Sequence, residues 1–283
     1  MSTGSTRSMQ ASVLYEVPGP RTRRRYQLFG VLAAAVLAGL GWYVYDALAS
    51  NGQFDPAMWA PFEYTTVQQR ILDGVRDTLT AFGLAALFSL LWGALLATGR
   101  LSDHRWLRWP ATALIEFFRA MSLLVMIFAL YQAVFSAQPM YALVLGLTLY
   151  NGAVQAEIIR SGIQAVPRGQ HEAAYALGLR KSQVMLTILL PQAVRSMLPA
   201  MIGQLVVTLK DTSLGFLITY TELLYIGKLI ANNTSTPHGY PYIPVIMVIA
   251  PIYILLCLAL TALARWIESR GRRGSNRRTP AAA

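Results

Sequence analysis

Six long apolar runs divide this chain, and each approaches the length that a bilayer-spanning helix requires, about 20 predominantly apolar residues. The second run contains no charged residue, whereas the third contains Glu116 and Arg119 and the fifth contains Lys210 and Asp211. The runs therefore predict an all-α polytopic membrane protein with about six transmembrane helices. They cover residues 28–45, 78–99, 110–135, 140–159, 196–220 and 243–263.

The composition supports a membrane protein and argues against nucleic-acid binding. Only 13% of the 283 residues are charged, whereas soluble domains contain about 25%. The net charge of +11 would suit a nucleic-acid partner, but the basic residues cluster at the ends of the apolar runs, where they can contact anionic lipid. The single cysteine, Cys257, has no partner for an intrachain disulfide and matches no metal-site spacing.

The distribution of Lys and Arg predicts the orientation of the chain. If the N-terminus is cytoplasmic, 19 of the 24 basic residues lie in cytoplasmic segments, and only Arg70 and Lys228 lie in outer ones. Cytoplasmic loops normally carry this excess of positive charge. Both termini and the loop at residues 162–195 are therefore expected in the cytoplasm, with residues 46–73 and 223–242 outside.

The cytoplasmic loop contains a polar, helix-prone segment, residues 172–191, which runs EAAYALGLRKSQVMLTILLP. Pro167 can open a helix because the first helical turn does not need its N–H. Gly178 suits the left-handed position after a helix end, and Ser182 can cap a second short helix. Pro191 is expected to break the chain before the fifth span. These features predict a helix–turn–helix that projects from the membrane, although an ordinary amphipathic loop is the alternative.

The spacing of Glu172-Ala173-Ala174, Gly178 and Leu190-Pro191 resembles the EAA loop of bacterial ABC importer permeases. Residues 157–163 and 210–214, EIIRSGI and KDTSL, are similar to the HisM/HisQ-like, polar amino-acid branch of the binding-protein-dependent inner-membrane family. The likeness covers about residues 74–265. An extra first helix is similar to the glutamate-type members. Met121-Ser122 departs from the family's Thr-Pro, so the local helix path stays open.

This resemblance implies a division of the chain and a set of partners. Residues 1–27 and 266–283 are expected to be disordered basic cytoplasmic tails. Residues 28–73 form an extra transmembrane helix and an outer loop, and residues 74–265 form the ABC permease domain. A signal-peptidase site at Ala47-Leu48-Ala49 is the alternative for the first helix, but its apolar run is longer than the 7–15 residues of a signal peptide.

The implied function is the permease subunit of an ABC importer for a polar amino acid, with glutamate or glutamine favoured. The alternatives are a permease for another substrate, such as a basic amino acid, or a self-contained secondary transporter. The implied partners are ABC ATPase subunits, an identical or paralogous second permease chain, an extracytoplasmic substrate-binding protein and membrane lipid. The residues implied in ATPase coupling are Glu172, Ala173, Ala174, Gly178, Leu190 and Pro191.

The sequence offers no catalytic or cofactor site of its own. It lacks the G-x-x-x-x-G-K-[ST] motif that binds nucleotide phosphates, since Gly227-Lys228 is followed by Leu229. Its three histidines are scattered without metal-ligand spacing. We therefore expect no enzyme activity, no metal and no cofactor, with ATP bound by the partner ATPase.

Polar residues within the spans are candidates for a substrate path. A charged side chain in the bilayer is costly, so it should face a cavity or a partner. Glu116 and Arg119 could supply counter-charges to Lys210 and Asp211, and Glu157 and Arg160 form a similar pair. The alternative is that these groups only fix helix packing. The candidate path residues are Lys210, Asp211, Arg119, Gln155 and Gln204.

Overall fold

The computed structural model describes residues 19–276 with the exception of His238. Its regular secondary structure is helical throughout this part of the chain. Short 3₁₀ segments lie at Pro56–Met58, Ala60–Glu63 and Thr212–Ile218, and a π-helical segment lies at Val184–Leu189. The α-helices are α1 (Pro20–Ser50), α2 (Thr65–Arg100), α3 (Arg105–Ala120), α4 (Leu123–Ala133), α5 (Pro139–Gln164), α6 (Arg168–Ala176), α7 (Lys181–Gln183), α8 (Leu190–Asp211), α9 (Leu223–Asn233) and α10 (Tyr242–Asn276).

The first compact unit, Met1–Asp55, contains α1. This helix begins with Pro20 in its first turn and is long and apolar enough to cross a membrane. Its apolar side chains are exposed along its length, Leu37 and Trp42 among them, which suits contact with lipid. Residues 20–27 and 266–276, which the sequence assigned to the tails, are helical. The remaining tail residues, 1–18 and 277–283, lie outside the described residues.

The second unit, Pro56–Ala283, is built around the packing of α2 against α5. Glycines allow the two helices to approach closely. A Cβ atom on Gly93 would lie 2.8 Å from the Gln155 Cβ and 2.9 Å from the Gly152 carbonyl oxygen. Small residues at helix interfaces serve this purpose in membranes. Helix α5 is the most extensively buried of the candidate spans, and its residues Leu143, Leu147 and Ala156 are fully buried.

The third apolar run is not one straight span, contrary to the prediction for residues 110–135. It forms α3 and α4, which are bent by 100° with respect to each other. The bend lies at Met121 and Ser122, whose extended backbone (ψ 139° and 125°) interrupts the helical hydrogen bonds. The apolar run in the sequence could not predict this bend, because the residues on both sides of it are apolar.

Pro191 does not break the chain, which corrects the prediction for that residue. The π-helical segment runs directly into α8, and Pro191 lies in the first turn of α8. A proline is tolerated at the first turn of a helix, where its missing N–H is not needed. The span is therefore continuous over Lys181–Ile218.

The stretch at residues 223–242 is not merely an outer turn. Residues Leu223–Asn233 form α9, and its apolar side, which includes Ile226 and Ile230, is buried against α2 and α10. Together, five described helices are long and apolar enough to span a membrane, and the bent pair α3–α4 makes a sixth candidate.

Candidate functional site

The segment with the EAA-like pattern forms a helix that ends at a sharp, glycine-dependent turn. Helix α6 follows Pro167, and its end is marked by Gly178, whose φ is +75°. The Gly178 N–H donates to the Tyr175 carbonyl at 2.9 Å, and the Leu179 N–H donates to the Ala174 carbonyl at 3.3 Å. This pair of bonds is a Schellman motif, which requires a left-handed residue at the position of Gly178. The predicted role of Gly178 at the helix end is confirmed.

Helix α6 is anchored on one side and free on the other. Ala174 is 2% exposed and packs in a cluster with Val184 and Leu189 of the π-helical segment. In contrast, Leu177 is 81% exposed, and Glu172 and Ala173 are also exposed. The segment therefore presents an apolar tip that has no covering partner among the described residues.

The second short helix is capped differently from the prediction. Ser182 lies inside α7, and Arg180 occupies the N-cap position. The Arg180 N–H donates to the Gln183 side-chain oxygen at 2.9 Å. Lys181 forms an ion pair with Asp103, in the connection between α2 and α3. The hydrogen bond from the Lys181 ammonium holds the pKa of the Asp103 carboxyl below its usual range, so this tie persists throughout the neutral pH range.

Leu190 and Pro191, the other two predicted coupling residues, lie apart from the apolar tip. They form the first turn of α8, with Leu190 partly buried and Pro191 exposed. Their position joins the π-helical segment to the long span.

An ionic network joins the ends of α2, α3 and α5. Arg100 donates to Glu157 at 2.8 Å and to Glu116 at 3.1 Å. Glu157 also pairs with Arg160, as predicted, while Arg119 lies 3.8 Å from Glu116. Glu116 and Arg119 therefore form their ion pairs within this network. No ion pair among the described residues joins either of them to Lys210 or Asp211. The expectation that Glu116 and Arg119 balance Lys210 and Asp211 is wrong.

Two of the candidate path residues meet at the interface between α5 and α8. The Gln204 side-chain amide donates to the Asn151 carbonyl oxygen at 2.7 Å, and the Gln155 amide donates to the Met201 carbonyl at 3.3 Å. Asn151 and Gln155 are fully buried, and each keeps one polar atom without a partner among the described residues. This polar stripe holds α5 and α8 together at a cost in unsatisfied hydrogen bonds.

Lys210 and Asp211 lie in the last turn of α8, where the helix gives way to a 3₁₀ segment, and not in the middle of a helix. Lys210 lines a cavity of about 730 Å³ between the end of α8, α9 and the first turns of α10. Asp211 does not belong to its lining. Its lining also includes Phe216, Lys228, Asn232 and Tyr253.

Comparison with known proteins identifies the family. The sequence model of the family described as "Binding-protein-dependent transport system inner membrane component" matches residues 89–273. The chain belongs to this family. It is 43% identical over 239 residues, 82% of its length, to the glutamate transport system permease protein GluD of Corynebacterium glutamicum, and covers 86% of that protein.

Two further relatives agree with this assignment. The glutamate/aspartate import permease protein GltK of Escherichia coli O157:H7 is 30% identical over 212 residues, which cover 71% of this chain and 92% of GltK. The solved structure described as "Crystal structure of an amino acid ABC transporter with histidines" matches the fold of this chain with a TM-score of 0.68 and 29% sequence identity. The match covers 74% of this chain and 97% of the chain in that structure.

The permease is therefore a multi-pass membrane component of an ABC importer, as the sequence predicted. The alternative of a self-contained secondary transporter gains no support. In this family the ATPase is a separate component, and the permease itself supplies the membrane passage. Among the described residues, no three His, Cys, Asp or Glu side chains converge as a metal site would require.

Sequence reasoning missed Glu222, a buried carboxylate of the permease. It accepts hydrogen bonds from the N–H groups of Leu224 at 2.8 Å and Tyr225 at 2.7 Å, and from the Tyr253 hydroxyl at 3.0 Å. It thus caps α9 and ties it to α10. An acidic residue directly before an apolar run is a helix-start signal, so the pattern Glu222-Leu223-Leu224 could have revealed the cap.

Proposed function

We propose that the permease carries an acidic amino acid, glutamate first, through the membrane as part of an ABC importer. Separate ATPase subunits bind ATP and dock on α6 and α7. The glutamate permeases among its relatives support this substrate. The extracytoplasmic binding protein delivers the substrate, and a second permease chain, identical or paralogous, completes the passage.

The exposed tip of α6 is the observation that carries the docking proposal. Leu177 is 81% exposed and Tyr175 is 48% exposed, although the Schellman turn and the buried Ala174 hold this tip in a defined position. A few apolar anchors that enter a partner's pocket contribute most of the binding energy of a protein interface. A rigid, apolar projection beside Glu172 and Ala173 fits a groove of an ATPase subunit.

The connection of α6 to α8 explains how docking would drive transport. Helix α6 packs on the π-helical segment at Val184–Leu189, which continues into α8. π-Helical turns are often found at functional sites. Helix α8 contains 22 residues, so it extends about 33 Å at 1.5 Å per residue. A shift of α6 on ATP binding would thus reach Lys210 at the far end of α8.

The same proposal places the permease in the bacterial cytoplasmic membrane with both termini and the docking segment in the cytoplasm. The excess of Lys and Arg in these segments supports that orientation. No cofactor of its own is needed, because the binding protein selects the substrate and ATP hydrolysis on the partner supplies the energy.

Copurification and uptake test the proposal together. The permease, produced with its cognate ATPase and binding protein, should retain the ATPase on purification and import radiolabelled L-glutamate into proteoliposomes when ATP is enclosed. Leu177→Glu should reduce ATPase retention by about tenfold or more, as expected for loss of a buried apolar anchor. Tyr64→Glu is the control, because Tyr64 is also a large exposed side chain, 64% exposed, but lies directly before α2 and not in α6 or α7.

Two results would contradict the proposal. If the wild-type permease retains no ATPase, the docking role is wrong. If the complete system hydrolyses ATP with every loaded binding protein supplied but accumulates no amino acid, the proposed transport function is wrong.

A further inference from the structure

Two lysines line the cavity at the end of α8, and neither forms an ion pair with a carboxylate of the described residues. Lys210 lies on α8 and Lys228 on α9, and both line the cavity. Within the described part of the chain, no carboxylate lies within ion-pairing distance of either ammonium group, and none of the described lining residues is acidic. The cavity therefore carries two positive charges that a ligand could balance.

The simplest alternative explanation accounts for one lysine only. A cation in the last turn of a helix is favoured by the helix dipole, and Lys210 occupies the last turn of α8. Lys228 lies in the middle of α9, so the helix dipole does not stabilise its charge in this way. Its ammonium is 5.7 Å from the centre of the Phe216 ring, which places it against the cavity wall that Phe216 helps to form.

The rest of the lining suits a short ligand with an aliphatic middle. Apolar side chains from α10, such as Ile249 and Ile254, form one wall, and the volume of about 730 Å³ lies within the range of small-molecule sites, about 300–1,000 Å³. The Asn232 side-chain oxygen accepts one hydrogen bond, from the Tyr242 hydroxyl at 2.6 Å. An amide oxygen can accept a second, which is available to an ammonium group.

Glu222 does not compete for these lysines. Both of its carboxylate oxygens are used, one by the Tyr225 N–H and the other by the Leu224 N–H and the Tyr253 hydroxyl. The Tyr253 side chain stands between Glu222 and the cavity, since it lines the cavity and donates to Glu222. Neither lysine forms an ion pair with Glu222, so both ammonium groups can still donate to a bound anion.

We infer that Lys210 and Lys228 together bind the two carboxylates of a dicarboxylic amino acid as it enters the permease. This inference rests on the proposed function and adds to it a site and a reason for acidic substrates. The cavity lies at the opposite end of α8 from the docking segment, where a substrate released by the binding protein would arrive. Asn232 accepts the α-ammonium group, and the apolar wall contacts the methylene carbons.

Uptake by charge-removing variants tests the site. Proteoliposomes would contain the complete complex and saturating binding protein loaded with L-glutamate, so that delivery is not limiting. Lys210→Gln and Lys228→Gln should each lower the uptake rate by about tenfold or more, the usual effect of losing a hydrogen bond to a charged group. Lys228→Arg should keep uptake within about threefold, because it restores the charge.

Arg70→Gln is the matched control. It removes one positive charge from an exposed position in the first turns of α2, away from the cavity, and uptake should equal that of the wild type. Complex yield by size-exclusion chromatography is measured for every variant. A structural role for Lys228, such as its contact with Phe216, would reduce the yield of the complex in Lys228→Gln.

The results separate failure of the inference from failure of the proposed function. If the wild type imports L-glutamate and the double variant Lys210→Gln/Lys228→Gln keeps more than a third of that rate, the site is wrong while the function stands. The same holds if the lysine variants fail only through loss of the complex. Import of L-glutamine but not L-glutamate by the wild type would instead overturn both the site and the acidic substrate of the proposed function. If the wild type imports no amino acid, the proposed function itself fails.

Discussion

At Gly178 the backbone conformation, rather than the space around the residue, limits which amino acids can replace it. A Cβ atom there would meet nothing within 4 Å, but φ is +75°. Other L-residues cost about 1–2 kcal/mol in this conformation, and asparagine is the best tolerated. The turn after α6 therefore depends on the backbone conformation of Gly178 and not on any packing contact.

We predict that Gly178→Ala weakens ATPase docking and that Gly178→Asn preserves most of it. A strain of about 1–2 kcal/mol corresponds to a roughly 5- to 30-fold shift away from the native turn. The measurement is the amount of ATPase that copurifies with the permease. Gly169→Ala is the control, because Gly169 lies in the same helix with an ordinary backbone and nothing within 4 Å of its Cβ position.

Equal ATPase retention in Gly178→Ala and Gly169→Ala would show that the left-handed turn is not needed for docking. If Gly178→Asn failed as severely as Gly178→Ala, the cause would be the added side chain at the interface and not the backbone.

The residue-scale features that the sequence could predict are local ones. Gly178 at a helix end and the Glu157–Arg160 pair depend on neighbours within a few positions, so spacing alone indicates them. The partner of Glu116 could not be predicted, because Arg100 reaches it only through the packing of α2 against α3. Ser182 was a reasonable cap by residue type, but the bond between Arg180 and Gln183 satisfies the same helix start.

At the scale of the element, the contact between α2 and α5 depends on glycine spacing. We predict that Gly93→Ala destabilises the permease by about 1–3 kcal/mol, the usual effect of overpacking a close contact. The added methyl would lie 2.8 Å from the Gln155 Cβ and 2.9 Å from a backbone oxygen, and the backbone cannot easily move away. The unfolding temperature of the detergent-purified protein is the measurement, and it should fall by several degrees.

Gly83→Ala on the same helix is the matched control. Nothing lies within 4 Å of a Cβ at Gly83, and alanine is a better helix former than glycine, so stability should be unchanged or higher. If Gly93→Ala were as stable as Gly83→Ala, the close approach of α2 and α5 at this point would be disproved.

Apolar length predicted most elements, and it failed where the chain changes direction inside the apolar region. The runs that became α1, α2, α5, α8 and α10 were found, since a single helix crosses the bilayer in each. The bend between α3 and α4 was missed because it lies in the backbone of Met121 and Ser122. Helix α9 was missed because its 11 residues are too short for a span, and its burial depends on α2 and α10.

At the scale of the whole molecule, the two sites that we propose lie in the second unit and are joined by α8. The docking tip on α6 and the ionic network around Arg100 lie near the start of this span, and the two-lysine cavity lies at its other end. The sequence indicated the docking end through its motif. It did not indicate the cavity, because Lys210 and Lys228 are brought together only by the fold, and Lys228 had been assigned to an outer loop.

The direction of this arrangement across the membrane is the last prediction. The distribution of basic residues predicts that α6 and α7 lie in the cytoplasm and that the connection after α1 lies outside. In a Cys257→Ser background, which removes the single native thiol, Ser50→Cys and Ser182→Cys each introduce one cysteine at an exposed position. A membrane-impermeant thiol reagent should label Ser50→Cys in intact cells and Ser182→Cys only after permeabilisation. Labelling of both variants after permeabilisation is the control that both thiols can react.

Labelling of Ser182→Cys but not Ser50→Cys in intact cells would show that the topology is the reverse of the predicted one. The tip of α6 could then not meet a cytoplasmic ATPase, and the docking proposal would fall with it.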